Sequence, residues 1–245
     1  MASWRARDAD VTEWLDADQV DRATLERNLD DIRHINTLLG WTAFTTRSII
    51  AWLRRDPTRA WTLLDVASGS ADIPIAIARA AAQAGITLVV TATDRSPQIT
   101  AIARERGVGV ANLRIETQDA LALPYAAGSF DIALCTLALH HFEPNAARGL
   151  LAALARVGRR VFVYDVARSP LAYAGVVALT RLAGMSPMTQ HDGAASVRRA
   201  YSRAEALALA HDAGLRDVQA SVRFPYRLAL VADGVPPAQG DSDGA

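Results

Sequence analysis

The sequence predicts an α/β fold on a doubly wound, mostly parallel sheet of seven strands with an antiparallel last strand. Short apolar runs alternate with helix-periodic segments, which is typical of parallel sheets flanked by helices. The first five strands are expected near residues 61–67, 87–93, 112–116, 130–136 and 159–166. Two closing runs, 215–223 and 226–232, are separated only by Phe224 and Pro225, which favours antiparallel pairing.

Two helices precede the first strand. Apolar residues recur at helical spacing in the first of them, at Leu25, Leu29, Ile32, Ile35 and Leu39. The second is predicted over 44–55 and stops before Pro57. Because these helices lie outside the strand–helix alternation, residues 1–58 are expected to form a helical cap across the domain.

An insertion, residues 168–200, separates the fifth strand from the last helix. Its apolar residues and its place at the carboxyl edge of the sheet predict a mobile lid over a substrate. Ser202 and Glu205 form a capping-box pattern that opens the last helix. The whole pattern predicts one domain over residues 1–232 and a disordered tail over 233–245.

Composition excludes several classes of function. The chain has 245 residues with 26 acidic and 26 basic side chains, so no net field favours nucleic acid. Lysine is absent, which excludes a lysine Schiff base. The longest apolar segment, 170–184, is interrupted by Arg181 and is too short for integral membrane association. The single cysteine, Cys135, suits a reducing cytoplasm, and no oligomeric state is predicted.

The turn after the first strand is the most informative segment. The run Leu63-Leu64-Asp65-Val66 enters Ala67-Ser68-Gly69-Ser70-Ala71-Asp72, and an apolar helix follows. Small residues let a ligand approach the backbone closely, and the helix N-terminus offers unpaired amides. The second strand ends in Asp94, where a carboxylate can hold both hydroxyls of a ribose.

The spacing of the small residues separates two classes of ligand. The dinucleotide pattern G-x-G-x-x-G would place its third glycine at Asp72, whose negative charge would repel a pyrophosphate. The pattern G-x-G-x-G falls on Ala67, Gly69 and Ala71, which are all small. With Asp65 before it, this turn resembles the first motif of the class I S-adenosylmethionine (SAM) methyltransferases.

Later segments extend the resemblance over roughly residues 60–167. Gln118-Asp119-Ala120-Leu121, Leu123-Pro124, Ser129-Phe130-Asp131 and the Leu-His-His segment before Phe142 are similar to the type 11 and type 12 families. The resemblance implies SAM as the cofactor, the ribose on Asp94, the adenine amino group on Asp119, and Arg95 stacked against adenine. It implies cofactor contacts at Asp65, Ala67, Ser68, Gly69, Ala71, Asp94, Arg95, Asp119, Ala120 and Thr136.

A histidine is the natural base for an acceptor that must lose a proton. His140 and His141 follow the fourth strand, where the methyl group should be presented. His191 lies in the insertion, and we favour it slightly because a lid residue can close on the acceptor from the side opposite SAM. His191 and Asp192 lack a third ligand at useful spacing, so no metal site is predicted.

The leading interpretation is SAM-dependent methyl transfer to a small apolar acceptor, as O-methylation of a phenolic or polyketide-like metabolite. The insertion resembles that of small bacterial methyltransferases found beside polyketide synthases, which bears only on the substrate class. Three alternatives stay open: C-methylation of a quinone-like ring, SAM binding without catalysis, and a nicotinamide oxidoreductase, which Asp72 disfavours.

Overall fold

The computed structural model of the chain describes residues 4, 6–8, 10–17 and 20–234. The strands are β1 (Trp61–Val66), β2 (Leu88–Asp94), β3 (Leu113–Thr117), β4 (Phe130–Thr136), β5 (Gly158–Val166), β6 (Arg216–Arg223) and β7 (Arg227–Asp233). The helices are α1 (Arg22–Leu38), α2 (Trp41–Leu53), α3 (Asp72–Gln83), α4 (Pro97–Arg106), α5 (Pro144–Val157), α6 (Pro170–Leu182), α7 (Pro187–Arg199) and α8 (Arg203–Asp212). Two short 3-10 helices cover Trp14–Asp16 and Leu139–His141.

The seven strands form one sheet in the order β3-β2-β1-β4-β5-β7-β6. Strands β1 to β5 are parallel, and β7 is antiparallel to both β5 and β6. The predicted fold class is confirmed, and every predicted strand boundary lies within one residue of the observed one. The strand order reverses between β1 and β4, so a ligand crevice is expected outside their carboxyl ends.

Helices cover both faces of this sheet. On one face, α5 and α8 bury Leu150, Leu154 and Ala210 against the strands. On the other face, Leu53 of α2 and Ile77 of α3 lie in the second apolar cluster. Helix α2 begins three residues before the predicted Phe44 and packs beside α3, and the helical cap over residues 1–58 stays a prediction.

The insertion after β5 forms the helices α6 and α7, and its predicted mobility stays a prediction. Helix α7 contacts α1 and both 3-10 helices, and Asn28 of α1 donates to Thr189 of α7 at 3.0 Å. The capping box of Ser202 and Glu205 is present as predicted. Strand β7 includes Asp233, and residues 235–245 of the predicted tail lie outside the described residues. Among the described helices, none is both long and apolar enough to cross a membrane.

Candidate functional site

The turn between β1 and α3 has an unusual backbone. Ala67, Gly69 and Ala71 all adopt left-handed conformations, with φ angles of 55°, 55° and 61°. A side chain built on Gly69 would meet no atom within 4 Å, so this part of the turn faces open space. The backbone N–H and the hydroxyl of Ser68 both donate to the carbonyl of Thr93, at 2.8 and 3.1 Å. Ser68 therefore fixes the turn to β2, and the small residues leave room for a ligand.

Asp94 joins the same turn to the tip of β2. Its Oδ2 accepts from the Gly69 N–H at 2.9 Å, and its Oδ1 accepts from the Ser96 N–H at 3.0 Å. Each carboxylate oxygen can accept a further hydrogen bond. This geometry leaves the carboxylate able to hold ribose hydroxyls, and that role stays a prediction.

Two buried polar atoms at this edge of the sheet have no hydrogen-bond partner: Oδ1 of Asp65 and Oγ1 of Thr136. Burial raises the pKa of Asp65 well above its usual range, and the nearby carboxylates of Asp72 and Asp94 act in the same direction. A cationic ligand would offset this cost. The residues present therefore fit SAM, which carries a sulfonium and an ammonium group.

The remaining predicted cofactor residues lie at the outer end of the same edge. Arg95 is exposed, and its Nη2 donates to the carbonyl of Asp16 at 3.1 Å. Asp119 is also exposed, and its Oδ1 accepts from the Leu121 N–H at 2.9 Å, while Ala120 is buried beside it. Their predicted contacts with adenine stay predictions.

His140 lies in the 3-10 helix that follows β4 and is buried. Its Nδ1 lies 2.7 Å from Oδ1 of Asp165 in β5, and its backbone N–H donates to Oδ2 of the same carboxylate at 3.0 Å. A carboxylate in this position holds the proton on Nδ1 and leaves the lone pair on Nε2. That Nε2 lies 3.6 Å from Oε1 of Glu13. The role of His140 as a base stays a prediction.

His141 has a different electrostatic environment. Its Nδ1 lies 2.9 Å from Asp16, and its Nε2 lies 3.7 Å from Oε2 of Glu13. Although burial lowers the pKa of His141, the carboxylates of Glu13 and Asp16 outweigh burial and raise it to about 9. His141 is therefore an imidazolium at neutral pH and cannot accept a proton there. Hydrogen bonds from His141 and Arg199 overcome burial and hold the pKa of Asp16 well below its usual range.

The sequence analysis missed the N-terminal segment 10–17, which supplies both of these carboxylates. Glu13 is buried, and its Oε2 accepts from the Ser196 hydroxyl at 2.9 Å, whereas its Oε1 has no hydrogen-bond partner. Asp16 binds Nη1 of Arg199 at 2.8 Å. The one feature of the sequence that could have indicated a packed segment here is Trp14, a large aromatic residue in a short acidic stretch.

His191 lies in α7, the second helix of the insertion. Its Nδ1 lies 2.9 Å from Oδ1 of Asp192, and its ring stacks on Trp14 with the centroids 4.4 Å apart. It lines a cavity of about 290 Å³ with Tyr173 and Val177 of α6. These contacts place His191 outside the cluster that His140 and His141 form with Glu13.

Comparison with known proteins agrees with this geometry. Residues 63–160 match a family described as a methyltransferase domain. The chain is 32% identical over 173 residues to a ubiquinone biosynthesis O-methyltransferase of Xanthomonas axonopodis pv. citri, a match covering 67% of each chain. A similar protein of Xanthomonas euvesicatoria pv. vesicatoria is 31% identical over the same length and coverage.

Solved structures share the fold. A SAM-dependent methyltransferase from Aquifex aeolicus superposes with a TM-score of 0.61 at 17% identity, covering 89% of this chain and 100% of the other. Magnesium protoporphyrin IX methyltransferase from Synechocystis PCC 6803, with bound S-adenosylhomocysteine, gives 0.58 at 20% identity, covering 88% and 100%. The predicted enzyme class and cofactor are confirmed. The turn of β1, the acid of β2 and these relatives together show that the chain belongs to the class I SAM-dependent methyltransferases.

Proposed function

We propose that this enzyme methylates a hydroxyl oxygen of a small phenolic acceptor, of the polyketide-like class that the insertion indicates. The observation that carries the proposal is the buried pair of His140 and Asp165, in which Nδ1 faces Asp165 and Nε2 lies on the other side of the ring, 3.6 Å from Oε1 of Glu13. His140 follows β4 and Asp165 lies near the end of β5, on the same sheet edge as the turn after β1. The O-methyltransferase names of the two Xanthomonas relatives support transfer to oxygen rather than to carbon.

The reaction needs a nucleophile in line with the methyl–sulfur bond. The acceptor oxygen forms a bond to the methyl carbon as the carbon–sulfur bond breaks, and the electron pair of that bond returns to sulfur. Holding the reactants in this geometry is worth ~7–11 kcal/mol. A phenol with a pKa near ~10 is mostly neutral at pH 7, so its proton passes to Nε2 of His140.

The N-terminal segment contributes to this arrangement without reacting. The His141 imidazolium is held between Glu13 and Asp16, and Arg199 binds Asp16 from α7. These ion pairs hold residues 13–16 beside the base, where they limit the access of water. Cys135 is buried and free, which is compatible with the reducing cytoplasm that we propose for the enzyme.

The test is methylation of a panel of monophenols, catechols and hydroquinones, followed by mass spectrometry and proton NMR of the products. We expect a methoxy signal, whereas a ring methyl signal would identify C-methylation. The variant His140→Gln should lower turnover by ~10²–10⁴ while SAM affinity stays near wild type. His211→Gln, on the exposed face of α8, is the matched control.

His191→Gln tests the other candidate base in the same assay. We expect its turnover to stay within a few-fold of wild type, because its ring stacks on Trp14 and contacts Asp192. A loss of the size expected for His140, together with full activity of His140→Gln, would transfer the role to His191. A panel without any methylated product would contradict the phenolic acceptor.

A further inference from the structure

Three side chains beside the proposed base converge on one point. The ligating atoms of Glu13, His140 and His141 all lie within 4.8 Å of one another. Nε2 of His140 lies 3.6 Å from Oε1 of Glu13, and Nε2 of His141 lies 3.7 Å from Oε2. A tetrahedral ion with bonds of about 2.0–2.1 Å holds its ligands roughly 3.3 Å apart. The two histidine–Glu13 contacts, each to a different carboxylate oxygen, exceed this separation by a few tenths of an ångström, so a further side-chain adjustment within the 4.8 Å cluster would bring both nitrogens and one oxygen onto one ion.

The surroundings orient each of these groups inward. Nδ1 of His140 contacts Asp165 at 2.7 Å, and Nδ1 of His141 contacts Asp16 at 2.9 Å. Histidines that bind metals almost always donate their other ring N–H to such a partner, which directs the Nε2 lone pair to the ion. Here both histidines have that partner, and a bound ion would displace the proton that His141 carries on Nε2 at neutral pH.

The carboxylate of Glu13 is positioned by one hydrogen bond, but its other oxygen has no hydrogen-bond donor. Ser196 donates to its Oε2 at 2.9 Å, while its Oε1 is buried without a hydrogen-bond partner, although the side chain is only 3% exposed. The nearest guanidinium nitrogen, Nη1 of Arg199, lies 3.7 Å from Oε1 and binds Asp16 at 2.8 Å. A buried carboxylate oxygen without a hydrogen bond is costly, and a bound cation would offset that cost.

We propose that Glu13, His140 and His141 form a binding site for a divalent transition metal ion. Two imidazoles and one carboxylate suit zinc or ferrous iron better than magnesium or calcium, which prefer oxygen ligands. Three protein ligands leave a coordination position open for an exogenous oxygen. The sequence analysis predicted no metal site, because Glu13 is distant in sequence from the two histidines.

The role of the ion rests on the proposed function, but its binding does not. A phenolic oxygen in the open position would be polarised by the ion and would lose its proton more readily. The ion occupies the same Nε2 of His140 that otherwise accepts the proton. In the loaded enzyme the ion would therefore take the place of His140 in activating the acceptor, and the phenol proton would pass to solvent water.

Metal binding is tested on the full-length enzyme without any acceptor. The protein is stripped with a chelator, dialysed and titrated with Co²⁺, and the visible d–d absorption reports coordination. Zn²⁺ is then titrated against a chromophoric chelator. We expect about one ion per chain, bound with a Kd near or below ~1 μM. Glu13→Gln and His141→Ala should each weaken binding by at least ~10-fold.

Two matched control variants each remove one carboxylate or one imidazole at a position away from the proposed metal site. Glu26→Gln changes a partly exposed carboxylate on α1, and His211→Ala removes an exposed histidine on α8, so both should bind Co²⁺ like wild type. Circular dichroism and SAM binding verify that each variant is folded. The proposal is overturned if wild type binds no stoichiometric ion, or if folded Glu13→Gln and His141→Ala keep the wild-type affinity. Because no acceptor is used, failure of the phenol panel would leave this result intact.

Discussion

His141 should make the stability of this enzyme fall as the solution becomes alkaline. Glu13 and Asp16 raise its pKa from 6.5 to about 9, which exceeds the opposing effect of burial. A histidine with a higher pKa in the folded state stabilises that state fully below the unfolded pKa. The contribution is lost as the pH rises through the folded value. The relevant window therefore runs from pH 6.5 to about 9.

The size of the effect follows from the pKa difference. At ~1.36 kcal/mol per pKa unit, the rise from 6.5 to about 9 corresponds to about 3 kcal/mol of unfolding free energy. Since 21% of the His141 side chain is exposed, solvent screening makes this value an upper bound. We expect His141→Gln to lack this part of the pH dependence.

The assay is urea denaturation of wild type and His141→Gln at pH about 6 and about 9.5, with a chelator present. Subtracting the change in the variant from the change in wild type cancels the other titrating groups. Wild type should lose up to about 3 kcal/mol more than the variant. Equal losses in the two proteins would refute the assignment of His141 as a cation between two carboxylates.

Four further predictions concern the cofactor turn and the two carboxylates beside it. Ala67→Gly and Ala71→Gly should each stabilise the fold by about 0.5–1 kcal/mol, because both alanines are left-handed; urea denaturation that shows destabilisation contradicts this. Gly69→Val should fold but lose SAM binding in calorimetry, since its side chain would fill the open space of the turn. Asp94→Ala should lower the affinity for SAM by ~10- to 100-fold. Unchanged SAM affinity in either variant argues against this site. SAM should bind more tightly as the pH rises through the mildly acidic range, because burial raises the pKa of Asp65 and of Asp94. The protein should release protons when SAM binds, and calorimetry in two buffers of different ionisation enthalpy measures their number. A value of zero would contradict the prediction.

The strands were predictable because each leaves a local signal. The apolar runs of β1 and β4 are buried on both faces of the sheet, and short loops with small residues bound them. The turn at Gly69 was predictable for the same reason, since left-handed positions and close approach both require small side chains. Asp94 followed from its place at the end of an apolar run.

The acidic half of the candidate site was not predictable in this way. Glu13 and Asp16 meet His140 and His141 only after the sheet, α7 and the N-terminal segment have assembled. Nothing in the spacing of these residues encodes such a long-range contact. The stacking of Trp14 on His191 was likewise not predictable, and the role of His191 as a base stays a prediction. Whether the helices of the insertion move stays a prediction, and α7 is held by Asp192, which accepts from the N–H groups of Trp14 and Leu15.

The N-terminal segment also bears on the order of events in a catalytic cycle. The carbonyl of Asp16 binds Arg95 at the cofactor end of the site, and its carboxylate binds His141 at the acceptor end. One short stretch of backbone thus contacts both Arg95 and His141. If these residues contact the cofactor and the acceptor as proposed, release of the spent cofactor and of the methylated product would require the same local opening, and its rate would set a ceiling on turnover.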